Sequence, residues 1–304
     1  RVYASTISNM QDNLPHVGVN HADVIMEMYV NMNNIVRCLA LFTDIDAADA
    51  VGSTRSTRPI FNDIAQHYDL VLSHAGGSST ALNDAAYRGI DNFNIDSWEV
   101  AKEGASYRDT VYKRSYENSL FGVGPAIKAY AESMGVAMEL EKDYGFRFTE
   151  NGTPANGEAA SSISLTFTYK QAKKDTRMVY DAELGKYVYN QYGKVMTDQI
   201  TGEEESFNNV LILKAGLYES YIYSEATFQT GGDGYYACGG KLIPIVWECA
   251  EPEKIVSPFR FMTEDGQQLD INVGNSYVAV LSYWNTVEWK EAAPAETVPE
   301  TTAE

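Results

Sequence analysis

The sequence is poor in cysteine and in basic residues, and each shortage excludes a class of protein. Three cysteines occur among 304 residues, and no two of them are spaced as C-x-x-C. Such a set predicts neither a structural zinc site nor a disulfide framework. Lysine and arginine together number 23 against 42 aspartates and glutamates, which gives a formal charge of −19. Because nucleic-acid binding needs an excess of positive charge, we expect no nucleic-acid partner.

Long apolar runs and well-known catalytic motifs are also missing. The longest apolar run, residues 35–42, is interrupted by Arg37 and is much shorter than the roughly 18 residues of a membrane helix. The chain has no G-x-G-x-x-G, no G-x-x-x-x-G-K-[ST], no G-x-S-x-G and no H-E-x-x-H. We therefore expect no cofactor and no metal. Since the chain begins at Arg1, we also expect that any targeting segment has been removed or left out of the sequence.

Composition and hydrophobic patterning predict an α+β protein with two domains. Apolar residues make up 44% of the chain and charged residues 21%, which is typical of a globular protein. Residues 1–150 mix helical and strand signals, so we predict a mixed α/β domain. From 161 to 284 the pattern has a period of two, which predicts a mainly antiparallel β domain. The acidic tail, residues 285–304, is rich in Pro, Thr and Glu and is predicted to be disordered.

A β-hairpin is predicted near the start of the chain. Residues 35–42 are apolar and rich in strand-forming residues, and the asparagines that separate them from residues 22–30 favour a turn. A helix over residues 21–30, with Asn20 as its cap, is the alternative. In the hairpin, Glu27 and Arg37 are expected to lie near one another across the strands, either as part of a ligand site or as a structural ion pair.

A loop that carries Arg55 and Arg58 runs into a predicted helix. Ser56 or Thr57 can cap this helix, and Pro59 suits its first position. The first N–H groups of a helix have no partner within it, and the helix dipole favours negative charge there. The two arginines are therefore placed where an anion can bind.

A strand, a glycine turn and a second helix follow. The strand ends at His74, the turn contains Gly76 and Gly77, and Ser78 or Ser79 begins the helix. Glycine allows the backbone to approach a ligand closely, serine adds hydroxyl donors, and histidine adds a titratable nitrogen. Together with the arginine loop, this pattern predicts an anion-binding site.

The predicted site supports more than one function. The residues predicted to bind a ligand are Glu27, Arg37, Arg55, Ser56, Arg58, His74, Gly76, Gly77 and Ser78. We favour a binding or adaptor protein, because no nucleophile lies beside a base in the sequence. The alternative is a hydrolase or transferase with His74 as catalytic acid or base. A structural interpretation, in which the arginines pair with carboxylates and His74 only completes the strand end, also stays open.

The motif G-x-x-R-S-x-R-P, followed by a strand that ends in H-A-G-G-S, resembles the YerB-like lipoprotein family of Gram-positive bacteria. Tyr107-Arg108-Asp109 matches a further family element, whereas residues 115–121 lack the histidine found in many relatives. The resemblance implies an extracytoplasmic protein of the cell envelope, held at the membrane only by a lipid anchor upstream of Arg1. It brings no reaction with it. The expected partner is an anionic small molecule, an envelope component or another protein.

Overall fold

The computed structural model of the protein describes residues 1–31, 35–140, 146–169, 172–220, 222–250 and 257–291. Strand accounts for 46% of the protein and helix for 18%, so sheets dominate the fold. Within the described ranges, no helix is long and apolar enough to cross a membrane.

The α-helices that the structure describes all lie in the first half of the chain. They are α1 (Pro59–His67), α2 (Ser79–Arg88), α3 (Trp98–Ala101) and α4 (Gly124–Ser133). The strands of this half are β1 (Tyr3–Ser8), β2 (Val24–Asn31), β3 (Ile35–Phe42), β4 (Val51–Gly52), β5 (Val71–His74), β6 (Asn92–Asn94), β7 (Ser106–Arg108), β8 (Leu120–Gly122) and β9 (Arg147–Thr149).

The second half is built from strands and short turns. Its strands are β10 (Glu158–Ala159), β11 (Ser162–Tyr169), β12 (Ala172–Asp181), β13 (Lys186–Gln191), β14 (Lys194–Val195), β15 (Ser206–Phe207), β16 (Asn209–Ala215), β17 (Leu217–Ser220), β18 (Tyr223–Ala226), β19 (Gly232–Cys238), β20 (Lys241–Cys249), β21 (Phe259–Thr263), β22 (Asp270–Asn272), β23 (Ser276–Ser282) and β24 (Thr286–Lys290). Period-two patterning therefore corresponds to strands here.

One large sheet contains strands from both halves. Its order is β10-β20-β19-β16-β23-β2-β3-β1-β5-β6, and β21 pairs with β20. β23 is parallel both to β16 and to β2, which belongs to the first half. The two halves are therefore joined through the middle of this sheet, which we call the main sheet.

A second sheet covers one face of the main sheet. Its order is β14-β13-β12-β11-β24, with β15 paired to β13. Alternate residues of β11, namely Ile163, Leu165 and Phe167, are completely buried, as expected for a strand with one face in the core. The ring of Phe167 meets that of Tyr29 on β2, with 5.4 Å between centroids. The main core thus lies between the two sheets.

The local elements around the predicted site form largely as expected. β2 and β3 pair as an antiparallel hairpin, while the asparagine turn lies outside the described residues. Helix α1 begins at Pro59, but its N-cap is Arg58, which makes no side-chain cap bond. Neither Ser56 nor Thr57 therefore caps it. Helix α2 is capped by Ser78, whose hydroxyl accepts a hydrogen bond from the N–H of Ala81.

The expected contact between Glu27 and Arg37 is wrong. In the hairpin, Glu27 lies opposite Cys38, and Arg37 lies opposite Met28. Residues directly opposite each other share a face of the sheet, and the next residue points to the other face. Because Arg37 is offset by one residue, its side chain lies on the face of the sheet opposite Glu27.

Glu27 instead forms a buried network between the two sheets. Its carboxylate accepts hydrogen bonds from Lys174 Nζ at 2.5 Å, Tyr189 at 3.0 Å, Tyr277 at 2.5 Å and Asn9 at 3.0 Å. The side chains of Glu27 and Lys174 are 0% and 2% exposed. These bonds compensate for part of the cost of removing both charges from water. Glu27 is therefore part of the core and not of a ligand site.

The beginning of the predicted disordered tail is a strand. β24 pairs with β11 in antiparallel register, so that Ile163 lies beside Trp289. The Trp289 ring packs against Tyr235, with 5.2 Å between centroids, and its Nε1 donates to Glu158 at 2.9 Å. Partial burial of this side chain against the core favours order where composition alone predicted disorder. Residues 292–304 lie outside the described residues.

The three cysteines lie on strands β3, β19 and β20. All three are free and buried. Cys238 lies opposite Lys241 across the Gly239-Gly240 turn, so it is not placed to pair with Cys249. Cys38 is 1% exposed and packs as a small apolar residue of β3.

Replacement of Glu27 with glutamine should destabilise the protein strongly, because Lys174 would keep a buried charge without a counter-charge. Loss of one partner of a buried ion pair costs about 3–5 kcal/mol. We expect a decrease of that size in the free energy of unfolding, measured by urea denaturation. The control is Asp46→Asn, which removes the partner of the exposed Lys128 and should have a much smaller effect. Equal effects of the two substitutions would contradict the buried pair.

Candidate anion-binding site

The candidate site lies at one edge of the main sheet, where three parallel strands end. β1, β5 and β6 run in the same direction, and their pairing places His74 beside Asn94. β3 is antiparallel to β1 and begins at this edge, where Arg37 lies beside Ser8. In open α/β sheets, ligands bind outside the carboxyl ends of parallel strands. Apart from Glu27, which lies in the core, the predicted residues therefore meet at an edge suited to a ligand.

The loop before α1 lies across this edge and is held by its backbone. The N–H of Arg55 donates to the C=O of Thr6 at 2.9 Å, and the C=O of Arg55 accepts from the N–H of Ala75 at 2.9 Å. The N–H of Thr57 donates to the C=O of Gly76 at 3.0 Å. The arginines of the loop are thus carried on backbone that β1 and the turn after β5 hold in place.

Arg37, Arg55 and Arg58 form a group of three positive charges, which we call the arginine cluster. Arg37 is buried, and its Nη1 donates to the C=O of Ser56 at 2.6 Å. Burial, followed by the positive charges of Arg58 and Arg55, lowers the pKa of Arg37 to about 9. In the described part of the chain, no carboxylate forms an ion pair with Arg37 or Arg58. The cluster therefore carries excess positive charge in a partly desolvated place.

Neither of the two loop arginines, Arg55 and Arg58, has a strong ion pair among the described residues. Arg55 Nη1 donates to the C=O of Glu117 at 2.6 Å and to Asn118 Oδ1 at 2.9 Å. The carboxylate of Glu117 is 3.5 Å from Arg55 and its side chain is 80% exposed, so this ion pair is weak. Arg58 lies over the ring of Tyr223, 5.1 Å from the centroid. Burial is the main cause that lowers the pKa of Arg58.

The glycine turn is mostly engaged within the protein. Gly76 has a φ of 67°, which favours glycine, and its N–H donates to Asn94 Oδ1 at 2.8 Å. The Ser78 hydroxyl is used as the cap of α2. A Cβ on Gly77 would lie 2.8 Å from a leucine of α2, so this glycine allows close packing of the helix. The turn therefore supports the arginine loop, and its serine hydroxyl is already engaged.

His74 lies beneath the site. It is 1% exposed, its Nδ1 is 2.8 Å from the C=O of Gly76, and its Nε2 is 3.0 Å from Asn92 Oδ1. Burial outweighs these two hydrogen bonds and lowers the pKa of His74. Both ring nitrogens contact oxygen atoms of the protein. Neither nitrogen is therefore free to exchange a proton with a ligand, as the predicted acid–base role requires.

A cleft of about 250 Å³ opens beside the arginine cluster. Its lining includes Arg55, Ser56, Asp96, Arg108, Tyr116 and Glu117. Arg108 Nη2 is 2.6 Å from Asp96 Oδ1, its Nη1 donates to the C=O of Tyr116 at 2.6 Å, and its guanidinium lies 3.8 Å from the centroid of the Tyr116 ring. The cleft thus has charged walls held in fixed positions.

Four charged or aromatic residues of this cleft were not predicted as site residues: Asp96, Arg108, Tyr116 and Glu117. Two signals in the sequence pointed toward them. Aromatic and charged residues alternate closely between positions 91 and 121, and Tyr107-Arg108-Asp109 matches a family element. Neither signal showed that the region folds against Arg55, because that contact joins residues more than 60 positions apart.

A larger cleft lies in the second half of the chain and suits an anion less well. It measures about 590 Å³ and is lined by residues 149, 151–156 and 263–265, among others. Its charged groups include the carboxylates of Glu264, Asp265 and Asp270. Negatively charged walls disfavour an anionic ligand. The arginine cluster is therefore the better candidate for the predicted anion-binding site.

A His74→Gln substitution should lower stability, because it disturbs a buried hydrogen bond that the single N–H of the neutral ring donates to the C=O of Gly76 or to Asn92 Oδ1. We expect a loss of about 1–3 kcal/mol in the free energy of unfolding at pH 7.5. The lowered pKa means that the folded state binds fewer protons than the unfolded state below about pH 6.5. Wild-type stability should therefore fall as the pH decreases from 6.5 to 5, and less steeply in the variant.

The control for this substitution is His21→Gln, at an exposed histidine. It should change neither the stability at pH 7.5 nor the slope with pH. Urea denaturation at several pH values measures both. Unchanged stability of His74→Gln, with the same pH dependence as the wild type, would contradict a structural role for His74.

Comparison with known proteins agrees with this architecture. Residues 1–137 match the amino-terminal domain, and residues 165–278 the carboxyl-terminal domain, of the family described as "Protein of unknown function (DUF3048)". The chain is 22% identical over 283 residues to "Putative lipoprotein YerB" of Bacillus subtilis (strain 168), covering 92% of this chain and 81% of YerB.

A solved structure has the same fold. The crystal structure of YerB from Bacillus subtilis matches with a TM-score of 0.79 at 19% identity, covering 95% of this chain and 93% of the crystallised chain. The two matched domains together cover well over half of the sequence. The chain therefore belongs to the DUF3048 family.

Proposed function

We propose that this protein is an extracytoplasmic, lipoprotein-type binding or adaptor protein of the cell envelope, and that its arginine cluster binds an anion. The observation that carries the proposal is Arg37, a buried guanidinium that lies with Arg55 and Arg58 and has no ion-pair partner among the described residues. Buried charges are normally paired. A phosphate or carboxylate of a ligand is the counter-charge that this arrangement favours.

The three arginines would contribute differently. Arg55 and Arg58 are partly exposed and can offer guanidinium donors to a ligand, in the planar geometry that matches phosphate and carboxylate. Arg37 is almost inaccessible and supplies positive charge from behind them. The weak ion pair between Arg55 and Glu117 can exchange for a ligand anion at little cost.

The envelope location rests on the family. The B. subtilis relative carries the word lipoprotein in its name, and the described part of this chain contains no helix that could span a membrane. A lipid anchor upstream of Arg1 would hold the protein at the membrane surface. The ligand is then an envelope component or metabolite that bears phosphate or carboxylate, or an acidic segment of a protein partner.

The alternative function, a hydrolase or transferase with His74 as acid or base, is supported less well. The ring of His74 is buried, and its nitrogens contact Gly76 and Asn92. A general base must come within hydrogen-bond reach of the proton that it removes. This requirement favours binding over catalysis at the arginine cluster.

An Arg58→Ala substitution should weaken anion binding by about ten- to a hundredfold, because a charge-assisted hydrogen bond contributes about 1.5–3 kcal/mol. Arg58→Lys should recover only part of the loss, since a point charge does not reproduce the guanidinium fork. Isothermal titration calorimetry with inorganic phosphate at low salt measures these affinities. Added salt should weaken wild-type binding.

The matched control is Arg147→Ala. Arg147 is an exposed arginine with its own partner, Asp270, at 2.9 Å, and its loss should leave phosphate affinity unchanged. If the wild type binds no phosphate at low salt, or if Arg58→Ala binds as tightly as Arg147→Ala, the arginine cluster is structural and the anion proposal is wrong.

A further inference from the structure

The cleft beside Arg55 indicates what the rest of the ligand looks like. It shares Arg55 and Ser56 with the arginine loop, so a ligand whose anionic group lies on the cluster would extend into the cleft. Its volume of about 250 Å³ lies below the roughly 300–1,000 Å³ of sites for drug-sized ligands. The cleft therefore has space for one ring-sized group.

The walls of the cleft carry both signs of charge. Arg55 and Arg108 bring two guanidinium groups, and Asp96 and Glu117 bring two carboxylates. The carboxylates disfavour a second anionic group, and the guanidinium groups disfavour a cation. These groups are paired with one another in the protein, Arg108 with Asp96 and Arg55 with Glu117, but an apolar ring would displace the water that satisfies their remaining donors and acceptors, which is costly. The lining thus favours a neutral group with many hydrogen-bonding atoms.

Hydroxyl groups fit such walls because each one both donates and accepts. A carboxylate of Asp96 or Glu117 can accept from a hydroxyl, while Arg108 can donate to another. Arg108 is held by Asp96, by the C=O of Tyr116 and by the Tyr116 ring. Its donors are therefore preorganised, which reduces the entropy cost of binding.

We infer that the cleft binds the sugar ring of a sugar phosphate whose phosphate lies on the arginine cluster. This inference rests on the proposed anion site. It assigns Asp96 and Arg108 to recognition of the sugar hydroxyls, and it separates their role from that of Arg58, which holds the phosphate. Phosphate affinity and sugar preference should therefore respond to different substitutions.

Three probes test the inference by calorimetry on the whole chain at low salt: glucose 1-phosphate, phenyl phosphate and inorganic phosphate. The wild type should bind glucose 1-phosphate about tenfold more tightly than phenyl phosphate, the equivalent of one good hydrogen bond to a charged group. Asp96→Asn should remove most of this preference. Phenyl phosphate should bind this variant as well as the wild type or slightly better, because a nearby negative charge is lost.

Asp270→Asn is the matched control for Asp96→Asn. The two carboxylates are 45% and 43% exposed, and each is ion-paired with one arginine. The control should keep the full preference for glucose 1-phosphate. Glu117→Gln, at a side chain that is 80% exposed, is a second cleft variant in case Asp96→Asn lowers the melting temperature, and it should also reduce the preference.

The results separate the inference from the function on which it rests. If phenyl phosphate binds as tightly as glucose 1-phosphate and Arg58→Ala weakens both, the anion site stands and the sugar inference is wrong. Equal sugar preference in Asp96→Asn, Glu117→Gln and the control would also overturn it. If no phosphate compound binds the wild type, the anion proposal and the sugar inference both fail.

Discussion

Strand β23 lies between β16 and β2 and is parallel to both, and the rest of the architecture depends on this position. Tyr277 on β23 donates to Glu27, a residue 250 positions earlier in the chain. Contacts over such separations carry a large loop-closure cost and form only when nearly the whole chain is present. The hairpin of β2 and β3 is thereby fixed between β23 and β1. Because β3 carries Arg37, the pairing of the two halves also positions the candidate site.

The fold holds the arginine cluster in place through hydrogen bonds to backbone carbonyl and N–H groups. Arg37 is held by the C=O of Ser56, and the loop of Arg55 is held by Thr6 and Ala75. Like charges brought together in this way repel one another and are partly desolvated. The carboxylate of Glu27 does not offset this repulsion. It lies on the opposite face of the sheet from Arg37 and is already ion-paired with Lys174. A bound anion would relieve the repulsion directly.

Sequence patterns were sufficient to predict helices and strands that depend on neighbouring residues. They were insufficient to predict contacts between distant segments of the chain. Helix α1, strand β5 and helix α2 follow from Pro59, the apolar run before His74 and the cap at Ser78, because each signal acts over a few residues. Register was different: an offset of one residue moved Arg37 to the face opposite Glu27.

The cleft and the last strand show the same limit. Arg108 and Tyr116 reach the site through tertiary contacts, and Trp289 orders β24 through a contact with Tyr235. Such contacts cannot be predicted from composition or residue spacing, because the contacts form only when distant segments of the chain pack together. The family motif located the loop and the turn, whereas the geometry of the folded chain decided which side chains meet there.

Diffraction can show whether an anion binds at the arginine cluster. A crystal of the protein soaked in sodium selenate, with data recorded at the selenium absorption edge, reveals bound anions by their anomalous signal. In a crystal of protein with ordinary methionine, we expect an anomalous peak within hydrogen-bonding distance of the Arg58 guanidinium and close to Arg55. Selenate bound only elsewhere, with no peak at the arginine cluster, would contradict the proposal that the cluster binds an anion.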